Sequence, residues 1–256
     1  MKYFKYFFTF IIILLSFYIT EQSALFFRGK DPILQTIKEY SKDYNVDPID
    51  AIIDNNYIVP GMYGRRVNEI KSLVKMKSLK TFNSMFLKTD FIKPNISLID
   101  NKDKIINRGN KKKNAISFIL ENDESNVITY LVSEKIDASI LVDKVSVNNN
   151  KFEQINNDFD NYDYVEKVLN KNKTNPNICI LNRSNKNFCI RHKKYIIEPT
   201  YVLSTNNLII IKNKITSGDI ILIKDNVSID DLSFLINYIK SKNLKIIKLS
   251  ELISES

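Results

Sequence analysis

Charged side chains follow three largely apolar segments of this chain, Ala115–Leu120, Ala138–Val142 and Asp219–Ile223. Their types could support metal binding or proton transfer. The ammonium group of Lys224 ends the apolar segment Asp219–Ile223. Carboxylates gathered near it could hold Mg²⁺ or Ca²⁺, whereas a lysine with a pKa of about 10.4 is a poor proton shuttle at neutral pH. The competing interpretation is that these are ordinary charged residues of solvated loops, with Lys224 paired to Asp225 or Asp123. The acids that follow the three segments are Glu121, Asp123, Glu124, Asp143 and Asp225.

Two counts exclude several classes of enzyme. The chain has one histidine, His192, and five glycines, with none between Gly109 and Gly218. A glycine-rich phosphate loop of the kind that ATP and NAD enzymes use therefore has no place within that stretch. A zinc site with two or three histidines is also excluded, and two cysteines are too few for a structural zinc cluster. We expect His192 to be a surface or capping residue rather than a metal ligand.

The two cysteines, Cys179 and Cys189, leave two alternatives open. They could form a disulfide, because the polar stretch Asn182–Asn187 between them is typical of a turn that joins two strands. They could equally be two free buried thiols, since cysteine is among the most buried residue types. Neither alternative predicts a redox function.

Length, composition and charge indicate a folded chain with a basic surface. The 256 residues, 44% of them hydrophobic, can bury a core in one moderate domain or two small ones. The net charge of +9 could attract an anionic partner, but Lys, Asn and Ile are enriched together, as a biased nucleotide composition would produce. The run Lys111–Lys113 is therefore interpreted as a solvated loop, and we predict no nucleic-acid partner.

The N-terminus has the pattern of a membrane anchor. Lys2 and Lys5 precede Tyr6–Thr20, which carries no charge and is as long as a signal-peptide core or a short membrane helix. No small-residue cleavage site follows, which favours an uncleaved signal anchor in residues 1–28 over a cleaved peptide. Lysines on the leading side place the amino end in the cytoplasm. The sequence thus predicts a single-pass protein of the cell membrane whose C-terminal domain is extracytoplasmic.

Residues 29–113 are predicted to form a helical stalk and a small extension. A helix is expected over residues 29–50, because Asp31 can cap it and Pro32 follows at its first position. The elements expected after the stalk are a turn at Ile58–Gly64, a helix within Val67–Lys80 and an extended connection over residues 81–113.

Residues 114–256 are predicted to be the main domain, with strands and helices in alternation. Ala115–Leu120, Ser125–Lys135 and Ala138–Val142 indicate a strand, a helix and a strand, which favours a parallel sheet with helices outside. The pattern is typical of an α/β barrel or an open α/β sheet. The other predicted strands are Ile178–Leu181, Tyr195–Pro199, Leu208–Ile211, Asp219–Ile223 and Leu244–Leu249, and the other predicted helices are Tyr162–Asn170, Ser228–Ser241 and a short one that opens at Ser250.

Two stretches of this domain resemble a known family. Residues 113–142, KNAISFILENDESNVITYLVSEKIDASILV, and residues 217–249, SGDIILIKDNVSIDDLSFLINYIKSKNLKIIKL, are similar to the first and last thirds of the NodB-type polysaccharide deacetylases, carbohydrate esterase family 4. Residues 57–110 are similar to an extension in membrane-anchored members from low-GC Gram-positive bacteria. The resemblance implies a distorted (β/α) barrel with its site at the carboxyl ends of the strands. Because residues 114–256 are few for this family, it stays open whether one or two strand–helix units are missing.

The chemistry of this family requires side chains that the present chain replaces. Family members hold a divalent metal with one aspartate and two histidines, and use a second aspartate as base and a late histidine as acid. Ile119 and Leu120 stand where the family has its two aspartates, and Lys224 stands where it has the acid histidine. Residues 143–163, which should follow the second strand with both metal-binding histidines, contain none. In the same comparison Ser117, Phe118 and Glu121 take the places of threonine, phenylalanine and glycine.

Three hypotheses for the function follow, and the first is preferred. It is a catalytically inactive deacetylase-like domain, without a cofactor, that binds cell-wall glycan or an envelope protein. The second is an active hydrolase of carbon–nitrogen bonds in N-acetylated glycans, with a non-standard site. The third is a structural scaffold of the envelope. The binding candidates are Glu121, Asp123, Asp143, Lys224 and Asp225.

Overall fold

The structure, a computed structural model, describes residues 6–7, 10–20, 30–122, 125–143, 151–182 and 185–256. After residue 30 its strands are β1 (Ile52–Asp54), β2 (Tyr57–Val59), β3 (Gly64–Val67), β4 (Thr89–Ile92), β5 (Ile105–Ile106), β6 (Ala115–Leu120), β7 (Ser139–Val142), β8 (Glu153–Asn156), β9 (Ile178–Ile180), β10 (Tyr195–Ile197), β11 (Tyr201–Leu203), β12 (Ile220–Ile223) and β13 (Lys245–Ile246). Its α-helices there are α1 (Pro32–Tyr44), α2 (Glu69–Lys77), α3 (Ser125–Ser133), α4 (Tyr162–Lys171), α5 (Lys186–Arg191), α6 (Leu208–Lys214), α7 (Ile229–Ser241) and α8 (Leu249–Ile253).

The chain divides into two compact units, each made from more than one stretch. The first unit contains residues 1–48 and 63–92, and the second contains residues 49–62 and 93–256. This division differs from the predicted boundary at residue 113. The reason is that β5, within the predicted extended connection, pairs in parallel with β2 and β10 of the second unit.

The first unit packs two helices and an antiparallel strand pair around a small core. Helix α1 begins as predicted, with Pro32 in its first turn and the Asp31 carboxylate accepting a hydrogen bond from Ile33 N at 2.9 Å. Strands β3 and β4 pair with Gly64 opposite Ile92. The buried residues of this core are Leu34, Ile37, Val67, Leu73 and Met76.

The larger sheet of the second unit is built around β6. The strand order is β11-β12-β6-β7-β8, all neighbours are parallel, and β13 pairs with the first two residues of β6. Every residue of β6 is buried. A strand that is apolar apart from one residue, Ser117, is expected where both faces of a parallel sheet are covered.

The second sheet of this unit has the order β1-β2-β5-β10-β9. Strands β1 and β2 form an antiparallel hairpin, and the other neighbours are parallel. The predicted turn at Ile58–Gly64 therefore begins too early, because β2 extends to Val59. Gly61 lies where a Cβ atom would come within 2.2 Å of Ile49 O, so the backbone approach there requires glycine.

The two sheets approach each other at two places. Strand β10 ends at Ile197 and β11 begins at Tyr201, so one segment contributes to both sheets. Between them the Thr200 hydroxyl donates to Asn107 O at 2.6 Å and accepts from Ile220 N at 3.0 Å. At the other place β8 lies beside β9. No backbone ladder joins β8 to β9 within the described residues.

Side chains of β6 alternate between two cores. Phe118 and Leu120 face a core shared with helices α3 and α7. Ile119 faces a core shared with the short helix α8. This alternation, which follows from the two-residue period of a strand, decides which residues can lie at the ends of the sheet.

The predicted strand at Leu208–Ile211 is wrong, because this segment forms helix α6. Its β-branched residues are compatible with a strand, but the burial has a helical period. Leu208 and Ile211 are buried, whereas Ile209 and Ile210 are 69% and 58% exposed. Packing of one helical face against the core therefore decides the structure of this segment.

Other predicted elements differ in extent. The predicted strand Leu244–Leu249 shortens to β13, because α8 already begins at Leu249. Strand β8 was not predicted, since its sequence, EQIN, is polar, yet Gln154 and Asn156 are buried. Helix α5 begins at Lys186, within the last two residues of the predicted turn Asn182–Asn187, and ends at Arg191, with His192 at its C-cap.

The predicted membrane anchor lies only partly within the described residues. Residues 10–20 are helical, and residues 1–5, 8–9 and 21–29 lie outside the described part of the chain. Among the described residues, no helix combines the length and apolar character that crossing a membrane requires.

Cys179 and Cys189 form a disulfide, which decides between the two alternatives left open by the sequence. The bond links β9 to α5 across ten residues of sequence, and both cysteines are buried. It closes the segment that leads from the second sheet into α5.

Removing this disulfide should lower the free energy of unfolding by about 2–3 kcal/mol, because the unfolded chain then loses a closed loop of about ten residues. Guanidinium denaturation of the full chain, with and without dithiothreitol, measures the change. The Cys179→Ala/Cys189→Ala variant is the control and should not respond to the reductant. An unchanged midpoint on reduction would contradict this expectation.

Candidate functional site

The carboxyl ends of β6 and β12 bring together three of the residues that the sequence singled out, Leu120, Glu121 and Lys224. Ile119 lies opposite Leu222 in the parallel register, and Leu120 lies opposite Ile223. The chain then continues into Glu121 on one strand and Lys224 on the other. We call these four carboxyl-end residues, Leu120, Glu121, Ile223 and Lys224, the strand-end face.

Ile119 and Leu120 do not point to a common centre. Ile119 is fully buried in the core shared with α8, whereas Leu120 is 4% exposed and packs in the core shared with α3 and α7. Two aspartates at these positions would be isolated from each other by the sheet, and both would be buried charges without a partner on strand β6. In this chain both side chains contribute to apolar packing.

Lys224 forms an ion pair with Glu121 across the strand-end face. The two side chains are 41% and 30% exposed, so water weakens their attraction. The sequence points to Asp225 and Asp123 as partners of Lys224 and not to Glu121; Asp123 lies outside the described residues. The cavity at this face, which Asp225 also lines, has a volume of about 20 Å³. This is room for about one water molecule and not for a sugar ring.

The strand-end face does not fit the divalent metal that the family resemblance implies. Its side chains are aliphatic, an ammonium, and one carboxylate already paired with that ammonium. Asp143, after β7, accepts a hydrogen bond from Asn157 Nδ2 at 2.8 Å. Within the described part of the chain, no three His, Cys, Asp or Glu residues are grouped as metal ligands would be. Hard divalent ions need several oxygen ligands, and zinc needs nitrogen or sulfur.

A larger hollow lies beside the starts of α4 and α5, and sequence reasoning missed it. Its volume is about 280 Å³. We call it the aromatic hollow, because most of its lining is aromatic. The sequence predicts only the helix at Tyr162–Asn170 and a surface or capping role for His192, and no spacing in the sequence brings Phe159 and Phe188 together. The residues that line it are Phe159, Asp160, Asn161, Tyr162, Asp163, Tyr164, Phe188 and His192.

A cluster of buried polar side chains lies next to the Tyr162 ring of the aromatic hollow. Lys194 is 4% exposed and forms an ion pair with Glu166 of α4. Asn175 Nδ2 donates to the same Glu166 carboxylate at 2.7 Å. Burial raises the pKa of Tyr162, and the charge of Glu166 raises it further, so the phenol stays neutral at physiological pH.

A third cavity, of about 290 Å³, lies where β10 passes into β11. Arg108 on its wall reaches the buried Asp219, with Nη2 2.8 Å from Oδ1. Burial raises the pKa of Asp219, while Thr216 N and Arg108 oppose that shift. On the other wall, a hydrogen bond to Glu198 raises the pKa of Tyr57.

Replacing Arg108 with Met should destabilise the chain by about 3 kcal/mol at pH 7, because the Asp219 carboxylate would remain buried without its cation. Since burial already raises the pKa of this carboxyl, Asp219 can become neutral as the pH falls, and the loss should then shrink. Urea denaturation between pH 4 and pH 8 measures both effects. The matched control is Arg66→Met, whose side chain is 66% exposed and lies 3.9 Å from Asp47. Equal losses in the two variants would show that the Arg108–Asp219 pair is unimportant for stability. A loss that grows in acid would contradict the expected protonation of Asp219.

The Lys224–Glu121 pair should contribute less than about 1 kcal/mol to stability, because both groups are partly solvated. A double-mutant cycle with Lys224→Met and Glu121→Gln measures the coupling free energy by chemical denaturation. A coupling several times larger would mean that the pair is far better shielded from water than its exposure indicates.

One curated protein is similar in sequence to part of this chain. No protein-family model matches the chain. The uncharacterized protein YlxY of Bacillus subtilis (strain 168) is 30% identical over 93 residues, which cover 36% of this chain. The match spans 29% of the length of YlxY.

Two solved structures are similar over most of the chain. BA3943 of Bacillus anthracis, described as a CE4 family pseudoenzyme, is 19% identical with a TM-score of 0.60, covering 88% of this chain and 96% of that one. A BA3943 mutant, described as a pseudoenzyme with restored enzymatic activity, is 18% identical with a TM-score of 0.50, covering 87% of this chain and 98% of that one. At these identities the likeness shows the fold. The chain therefore has a mixed α/β fold with parallel sheets, similar to the structures of carbohydrate esterase family 4.

Proposed function

We propose that this chain is a catalytically inactive, deacetylase-like domain of the NodB type that binds cell-envelope glycan. The observation that carries the proposal is the composition of the strand-end face. Ile119 and Leu120 are core residues, and Lys224 is neutralised by Glu121. Among the described residues of the face, the Glu121 carboxylate is already paired with Lys224, and neither an aliphatic side chain nor a paired ammonium can serve as a general base or a metal ligand.

A distorted barrel is part of this proposal. Six parallel segments would surround the core that contains Ile119, in the order β6, β7, β8, β9, the joined β10 and β11, and β12. The passage from β10 into β11 and the contact between β8 and β9 support it. In such a barrel the strand-end face is the mouth, where the loops after the strands carry the site.

The described relatives support an inactive domain. BA3943 is described as a pseudoenzyme of the same esterase family, and one of its mutants is described as having restored activity. A fold of this kind can therefore persist without its chemistry. For the present chain, loss of activity is inferred from its own residues at positions 119, 120 and 224.

An extracytoplasmic position on the cell membrane also belongs to the proposal. The buried disulfide between Cys179 and Cys189 is typical of an oxidising compartment. The uncharged segment Tyr6–Thr20, preceded by two lysines, is consistent with an anchor that leaves the rest of the chain outside. Cell-wall glycan, or an envelope protein attached to it, would then be within reach.

We expect the full chain, purified in detergent, to release no acetate from chitohexaose or peptidoglycan above the buffer control, because the described residues group no metal ligands there and the Glu121 carboxylate is paired with Lys224. An active deacetylase of the same fold serves as the positive control. Turnover that Lys224→Met or Glu121→Gln abolishes would reverse the proposal and support an active non-standard site.

In the same preparation the chain should co-sediment with purified peptidoglycan sacculi. Sedimentation in the presence of excess chitohexaose tests whether saccharide itself is recognised. A chain that neither sediments with sacculi nor binds the oligosaccharide would favour the scaffold hypothesis.

A further inference from the structure

We infer that the aromatic hollow beside α4 and α5 is the saccharide-binding site of this chain. The inference rests on the proposed function, and it moves the binding site away from the strand-end face where the sequence candidates lie. Its volume of about 280 Å³ approaches the lower limit of about 300 Å³ for small-molecule pockets. The strand-end cavity, at about 20 Å³, is more than ten times smaller.

Packed aromatic rings form the wall of the hollow. The ring centroid of Phe188 lies 5.3 Å from that of Phe159, 4.7 Å from that of Tyr162 and 4.3 Å from that of His192. The Tyr162 and His192 centroids are 4.6 Å apart. Aromatic rings offer flat apolar surfaces against which the C–H face of a sugar ring can be buried at little entropic cost.

Polar groups at the rim match the hydroxyl groups of a sugar. Asp160 and Asp163 are exposed, and their carboxylates have no hydrogen-bond or ion-pair partner among the described residues. Ionised carboxylates only accept hydrogen bonds, so hydroxyl and amide N–H groups of a saccharide are suitable donors. The Tyr164 side chain, 67% exposed, adds an aromatic surface with a hydroxyl at its end.

The wall of the hollow is held in place before any ligand binds. Tyr162 is 5% exposed, and its ring lies 5.9 Å from Lys194 Nζ, which is fixed by the ion pair with Glu166. The disulfide at Cys189 holds α5, which carries Phe188, to the sheet. A rigid aromatic wall lowers the ordering cost of binding, whereas the rim residues remain free to adapt.

Calorimetric titration of the full chain with chitohexaose, a probe with N-acetylglucosamine units, tests the site. Tyr164→Ala should weaken binding at least about fivefold, and Asp160→Asn/Asp163→Asn about tenfold, because each removes a contact without touching the core. The matched controls are Phe91→Ala, an aromatic residue that is 71% exposed in the first unit, and Asp230→Asn. Both controls should bind like the unchanged chain.

Each result has a distinct meaning. Weaker binding in the hollow variants alone supports the inference. Unchanged binding in those variants, with the chain still binding chitohexaose, overturns the hollow as the site and leaves the proposed function standing. Absence of binding to chitohexaose by the unchanged chain overturns the present inference, and it overturns the glycan-binding part of the proposed function as well if the chain also fails to sediment with sacculi.

Discussion

The burial of β6 on both faces is the constraint on which the rest of the second unit depends. Its parallel pairing with β12 and β7 fixes the register of the larger sheet, and its side chains alternate between two cores. A strand in this position must be apolar along its length, up to Leu120 at its end. Apolar packing thus extends to Ile119 and Leu120, the two positions where the family resemblance implies aspartates.

The proposed loss of catalytic side chains is therefore compatible with a stable fold. An isolated aspartate at position 119 or 120 would be a buried charge, which a metal ion would have to compensate. Without that ion, isoleucine and leucine remove the cost and add apolar contacts. The Lys224–Glu121 pair then closes the end of the sheet with charges that water can still reach. The strand-end cavity is too small for a sugar ring, so the proposed saccharide binding is assigned to the aromatic hollow.

The sequence predicted the elements whose local pattern agrees with their packing. Strand β6 and helix α7, which Ser228 caps by accepting from Asp231 N at 3.1 Å, lie close to their predicted bounds. Prediction from sequence failed where tertiary contacts determine the secondary structure. Examples are α6, whose β-branched run packs as a helix, and β8, whose polar residues are buried. The strand-end residues could be found from spacing because parallel strands end at a common edge. The aromatic hollow could not, since its rings come from two separate helices and from residues next to them.

The most direct test of this account is whether the strand-end face holds a divalent ion. Calorimetric titration of the full chain with Zn²⁺ and Mn²⁺, at neutral pH and with an active deacetylase as reference, measures this. The account predicts no saturable binding tighter than about 100 μM, because the face presents aliphatic side chains and a paired ammonium. A single site that binds either ion at about 1 μM, and that Glu121→Gln weakens, would contradict it.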